Sequence, residues 1–186
     1  MQVGALAFAR LAASFRPSPI PWPLAMPTND ATVIDAIDRA KLKRLAAALA
    51  TAARPGDLLL LSGDLAAGKT QLTTDLAAAI GATDPVASPT FTLAHFYGGG
   101  RIPILHIDAY RIESEMEFND LALDEFFETH LTVVEWPENA GNALPPGLRI
   151  RLDVAADGRR RASCVAKTPD WAPRLQEIFE QLEPVG

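Results

Sequence analysis

An α/β domain in three layers, with a mixed sheet and a late β-hairpin, is what the sequence predicts. Three observations carry that expectation. Short all-apolar runs, "DLLLLS" and "LTVVEW", read as strands buried on both faces. Between them lie stretches whose apolar residues recur at helical spacing. Near the end, "LRIRLDV" and "RRRASCVAK" flank "AADG", the pattern of an antiparallel hairpin. Strands alternating with helices early, then a hairpin, combine into one mixed sheet covered by helices.

The elements follow in order. Residues 1–28 contain arginine and many prolines but no acid, and read as an extension outside the core. They suit either an upstream start ahead of Met26 or a targeting segment. Residues 29–186 read as a single domain. Asp30 to Ala53 is predicted helical, with Leu42, Leu45, Ala46 and Leu49 on one face beside Lys41, Lys43 and Arg44. "RPGD" breaks it, and "DLLLLS" is the first buried strand. Helical spacing resumes over 69–80 through Leu72, Leu76 and Ile80, and Gly81 stops it. "TDPVASP" is a loop. "TFTLAHFY" and "IPILHID" read as strands around the turn "GGGR". "SEMEFNDLALDEFFE" reads as an acidic helix with a wet face, "LTVVEW" as a buried strand and "PENAGNALPPG" as a loop. The hairpin comes next, and "PDWAPRLQEIFEQLE" closes the chain as a helix.

Composition narrows the function classes. With 186 residues there is material for one real core. A net charge of −6 argues against coating nucleic acid by charge alone, though not against a local basic patch. Cys164 is the one cysteine, so the chain builds neither an internal disulfide nor a thiolate metal site, and a reducing compartment is expected. No apolar run approaches the roughly 18 residues of a membrane span. A cytoplasmic protein is the resulting expectation.

The chemistry concentrates at 63–70. Gly63-Asp64-Leu65-Ala66-Ala67-Gly68-Lys69-Thr70 satisfies G-x-x-x-x-G-K-[ST], between a strand and a helix. The glycines permit conformations and close approaches that side chains block. Successive N–H groups cradle phosphates, and the following helix turns its N-terminus to the same charge. Lys69 would reach the β/γ-phosphates and the Thr70 hydroxyl would ligate Mg²⁺. The nucleotide-binding set is therefore Gly63 through Thr70, with Gln71 in the next position.

Such a loop works with carboxylates at neighbouring strand ends. Asp108 ends "ILHID" and Glu135 ends the strand in "LTVVE". Each is a candidate to bind Mg²⁺ or to position the attacking water; each also suits a simple turn cap. His95, His106 and His130 lack metal-ligand spacing, and His106 reads as a hydrogen-bonded core residue. Trp136 is open between packing and nucleotide contact. Arg159-Arg160-Arg161 reads as a solvated turn, with nucleotide or RNA contact as the alternative.

"GDLAAGKT", "SPTFTL" at 88–93, "HIDAYRI" at 106–112, "LALDEFF" at 121–127 and "VEWPE" at 134–138 occur in order. Together they resemble the TsaE (YjeE-type) family of small bacterial P-loop ATPases, over roughly residues 32–155. The resemblance implies ATP and Mg²⁺ as cofactors, slow intrinsic hydrolysis, and a part in threonylcarbamoyl modification of adenosine in tRNA. It implies a TsaD-type threonylcarbamoyl transferase and a TsaB-type protein as partners, with tRNA contact indirect or weak. By position, Lys69 contacts phosphates, Thr70 and Glu135 are the metal side, and Asp108 supports hydrolysis. Ser88-Pro89-Thr90 resembles a switch-like loop, Trp136 lies near the nucleotide, and Arg159 falls near the base. Two departures stand out: Ala66 and Ala122 occupy positions where the family usually has glycine. A small P-loop kinase is the alternative enzyme, but the segment after Glu135 lacks arginine until Arg149. A nucleotide-gated binding module without meaningful turnover is the alternative outside enzymes.

Overall fold

The computed structural model describes residues 31–84, 89 and 92–183. The expectations for residues 1–28, and for Ser88 and Thr90, lie outside the described residues. A seven-stranded sheet, ordered β1-β7-β6-β2-β5-β4-β3, forms the middle layer. Its strands are β1 (Thr32–Ile37), β2 (Leu58–Ser62), β3 (Ala94–Tyr97), β4 (Ile104–Asp108), β5 (Leu131–Glu135), β6 (Leu148–Val154) and β7 (Arg160–Ala166). β6, β2, β5 and β4 run parallel; β3 at one side, and β7 with β1 at the other, pair antiparallel. The predicted α/β architecture, mixed sheet and late hairpin are all present.

Strand alternation divides the core between two faces. Leu59 and Leu61 point to the face covered by α1 (Arg39–Ala52), α2 (Lys69–Ile80) and α4 (Trp171–Leu182). Leu58 and Leu60 point to the other, where Phe118, Phe127 and Ile112 pack under a thin layer of turns and the short α3 (Glu115–Asn119). "LLLL" is apolar throughout because β2 is buried on both faces. Cys164 is fully buried, and burial pushes its thiol pKa up to about 12, which makes it a packing residue.

Four boundaries differ from the sequence reading, each for a physical reason. Residues 32–37 are a strand, and the helix starts only at Arg39, capped by Asp38 accepting from Lys41 N at 2.7 Å. β1 imitates a helix because its pairing with β7 shifts register between Ile34 and Ile37, around Ala36 at φ 54°. The bulge turns both isoleucines inward at a spacing of three, which is also the helical spacing. Next, the acidic stretch is not one helix. α3 ends at Asn119, Ala122 takes φ 49°, and a separate 3₁₀ turn spans Asp124–Phe126. In "TFTLAHFY" the strand covers Ala94–Tyr97, preceded by Leu93 at φ 63°. β5 stops at Glu135 because Trp136 turns left-handed at φ 57°.

A buried ion pair ties α4 to the strand that carries the loop. Arg174 Nη1 donates to Asp57 Oδ2 at 2.6 Å and Nη2 donates to Oδ1 at 3.0 Å, with both side chains 8% exposed. The same guanidinium donates to the Ala52 carbonyl at the end of α1 and lies over the Trp171 ring.

Candidate nucleotide and cation site

The site lies where the carboxyl ends of β2, β4 and β5 meet the N-terminus of α2. Register explains the meeting. Leu61 of β2 pairs with Glu135, and Glu135 pairs with Asp108 of β4. Both predicted acids therefore stand side by side next to the loop that follows β2. They help line a cleft of about 510 Å³, together with Leu65, Ala66, Gly68, Lys69, Thr70, Gln71 and Trp136.

The loop conformation accounts for its composition. A side chain on Gly63, at φ 133°, would meet the Leu152 carbonyl oxygen at 2.2 Å, so close passage over β6 demands glycine. Gly68, at φ 109°, starts α2 and lies against Arg160, whose Nε donates to the Ala67 carbonyl at 2.7 Å. Ala66 takes φ 64°. The position where the family usually has glycine is thus a left-handed one, and alanine there is strained by roughly 1–2 kcal/mol. Glycine regains this strain but loses about 0.4–1 kcal/mol to the freer unfolded chain. Ala66→Gly is therefore expected to raise stability by roughly 0–1.5 kcal/mol, seen as a higher urea midpoint at unchanged slope.

Lys69 is buried within the loop. Its Nζ donates to the carbonyls of Gly63 at 2.7 Å and Asp64 at 2.9 Å, and sits 3.9 Å from the centre of the Trp136 ring. Burial lowers its pKa below the usual lysine value, opposed by the carboxylates of Glu135, Glu138, Asp108 and Asp64. Trp136 packs on Tyr110, with ring centres 5.1 Å apart. The tryptophan thus both packs and faces the cleft. Asp108 caps the turn after β4, with Oδ1 accepting from Tyr110 N at 3.1 Å, and it also lines the cleft.

Thr70 Oγ1 donates to Glu135 Oε2 at 3.0 Å, which brings the predicted metal-side pair together. A hydroxyl, a carboxylate and the neighbouring Asp108 are hard oxygen donors, the type that suits Mg²⁺. Among the described residues no cluster of three or more His, Cys, Asp or Glu is placed to hold a metal by itself. The donor set therefore fits a cation held by few protein oxygens together with phosphate.

Arg159 is not brought to this cleft. It is exposed and paired with Asp157 across the hairpin turn, and the hairpin arginine that reaches the loop is Arg160. Arg159 lies in the hairpin turn before β7, whereas Arg160 is the first residue of the strand and reaches the loop. Sequence reasoning also missed Arg39 and Tyr110, both lining the cleft. Arg39 is held by paired hydrogen bonds to Asp75 of α2. The tyrosine lay within the quoted "HIDAYRI"; nothing in the sequence singled out Arg39.

A mixed α/β sheet with a phosphate-binding loop between its central strand and a helix, and acids on the adjoining strand ends, defines a P-loop NTPase-like protein. Comparisons with known proteins narrow the class. The family described as "Threonylcarbamoyl adenosine biosynthesis protein TsaE" matches residues 37–162. A tRNA threonylcarbamoyladenosine biosynthesis protein TsaE of Bacillus subtilis is 42% identical over 126 residues, covering 67% of this chain and 78% of the relative. One of Streptomyces coelicolor is 38% identical over 139 residues, covering 70% and 94%. The crystal structure of Bacillus subtilis YdiB superimposes with a TM-score of 0.71 at 30% identity, over 82% of this chain and 97% of that one. The chain belongs to the TsaE family.

Proposed function

We propose that this protein binds ATP with Mg²⁺ in the cleft, hydrolyses it slowly, and serves threonylcarbamoyl modification of adenosine in tRNA. The observation that carries the reading is the meeting of Lys69, Thr70, Glu135 and Asp108 at one end of the sheet. Family membership supports the pathway. In this reading the loop N–H groups and Lys69 hold the phosphates, and Thr70 and Glu135 hold the cation. Bound Mg²⁺ would supply charge neutralisation on the phosphate oxygens. Asp108 orients the attacking water, and Trp136 with Tyr110 walls the cleft. No residue is assigned as an arginine finger, so turnover alone is weak and a partner raises it. The partners are a TsaD-type transferase and a TsaB-type protein, in the cytoplasm; tRNA contact is indirect or weak. Among the described residues no helix is long and apolar enough to cross a membrane.

The test is the ATP hydrolysis rate of the chain alone and with both partners. Low turnover that rises on their addition supports the reading. Turnover indifferent to them removes the partner assignment and favours the kinase alternative. Glu135→Ala is expected to keep measurable nucleotide binding while turnover falls by about 100-fold, the scale of a lost electrostatic contact to the transition state. Full turnover in that variant would refute the role of Glu135.

A further inference from the structure

We propose that His106 is the positioning residue for Glu135, holding its carboxylate in place from behind through a directional chain of hydrogen bonds that runs outward from the buried His106–Glu135 contact. The proposal rests on the reading of Glu135 as the cation-side carboxylate. His106 is fully buried, and its Nε2 lies 2.9 Å from Glu135 Oε1. Its Nδ1 lies 3.4 Å from the Tyr97 hydroxyl, which is also 3.4 Å from His95 Nδ1. His95 Nε2 lies 2.7 Å from Thr92 Oγ1. Sheet register builds this line. His95 pairs with His106, and His106 pairs with Val133, two residues before Glu135 and on the same face.

Donor counting sets the direction. Glu135 as a carboxylate accepts only, so Thr70 donates to Oε2 and His106 donates Nε2–H to Oε1. With one proton on each ring, His106 Nδ1 must accept, so the Tyr97 hydroxyl donates to it. The tyrosine oxygen then accepts from His95 Nδ1–H, and His95 Nε2 accepts from the Thr92 hydroxyl. For singly protonated rings this placement satisfies every link. Each tautomer is thus dictated by the carboxylate at the end of the chain.

The consequence is preorganisation. Oε1 is committed to His106 from inside the sheet, which leaves Oε2 beside Thr70 at the cleft before any ligand arrives. Histidine–carboxylate contacts behind a metal site act this way, and their loss costs about 10–100-fold in metal affinity.

The test is titration calorimetry of ADP with the full chain, in Mg²⁺ and in EDTA. The ratio of the two affinities isolates the cation's contribution without requiring turnover. His106→Asn, whose amide falls short of Glu135, is expected to cut that ratio about tenfold with EDTA affinity unchanged. His106→Gln places an amide N–H where Nε2 was and is expected to leave the ratio at the wild-type value. Tyr97→Phe keeps the ring and its packing, so it remains informative if His106→Asn does not fold; about a threefold loss is expected. An unchanged ratio in His106→Asn or Tyr97→Phe overturns the proposal, as does equal loss in the Asn and Gln variants. Glu135→Gln separates the two levels. If it keeps the ratio, the reading of Glu135 fails. If it loses the ratio while His106→Asn keeps it, only the positioning role fails.

Discussion

Replacing Lys69 with alanine is expected to remove ATP binding, with affinity falling at least about 100-fold in titration calorimetry. The magnitude follows from what the lysine is free to do. Its Nζ is held by two loop carbonyls and the Trp136 ring, all within the loop's own neighbourhood. A phosphate entering the cradle replaces neutral carbonyl partners with an anion. Hydrogen bonds involving charged groups contribute about 1.5–3 kcal/mol each, and two of them correspond to roughly 100-fold or more. Among the described residues no other lysine lines the cleft, and Arg39 is committed to Asp75. Affinity within about threefold of wild type would overturn the phosphate role of this loop. The variant also strands the carbonyls of Gly63 and Asp64, so its melting temperature should be measured alongside.

Arg174→Ala is expected to lower stability by about 3–5 kcal/mol. The pair with Asp57 is buried on both sides, and removing the arginine leaves a carboxylate without its countercharge. The Ala52 carbonyl loses its donor and the Trp171 ring loses its cation in the same step. For a domain of this size that corresponds to a melting temperature lower by about 6–20 °C. Asp57 immediately precedes β2, so the loss loosens the strand that feeds the phosphate loop, 25 Å or so of chain away at most. A fall of less than about 1 kcal/mol would show that the ion pair adds nothing beyond an exposed one. Replacing both partners with apolar residues is expected to recover most of the loss, because the desolvation penalty disappears with the charges.

Much of this protein was legible in one dimension. β2 declared itself because a strand buried on both faces needs four consecutive leucines. α2 was readable to the residue, since Lys69 must follow the loop and Gly81 takes the left-handed turn that ends the helix. Asp108 and Glu135 were legible as strand-end acids, and the phosphate loop by its spacing. The errors arose where local pattern and tertiary pairing conflict. A bulge in β1 imitated helical spacing, and left-handed residues such as Ala122 broke elements whose apolar pattern continued through them.

The sequence by itself determined the elements that carry the chemistry and the family they belong to, because glycine placement, strand apolarity and acid spacing are local demands of backbone and burial. Only the tertiary structure decided which side chains meet. Arg160 and not Arg159 reaches the loop, because Arg160 opens β7 while Arg159 is held in the hairpin turn by Asp157. His106, which reads as an ordinary core residue, stands behind Glu135 because the β4–β5 register brings it there. Register is a relation between strands far apart in the chain, and no single segment encodes it.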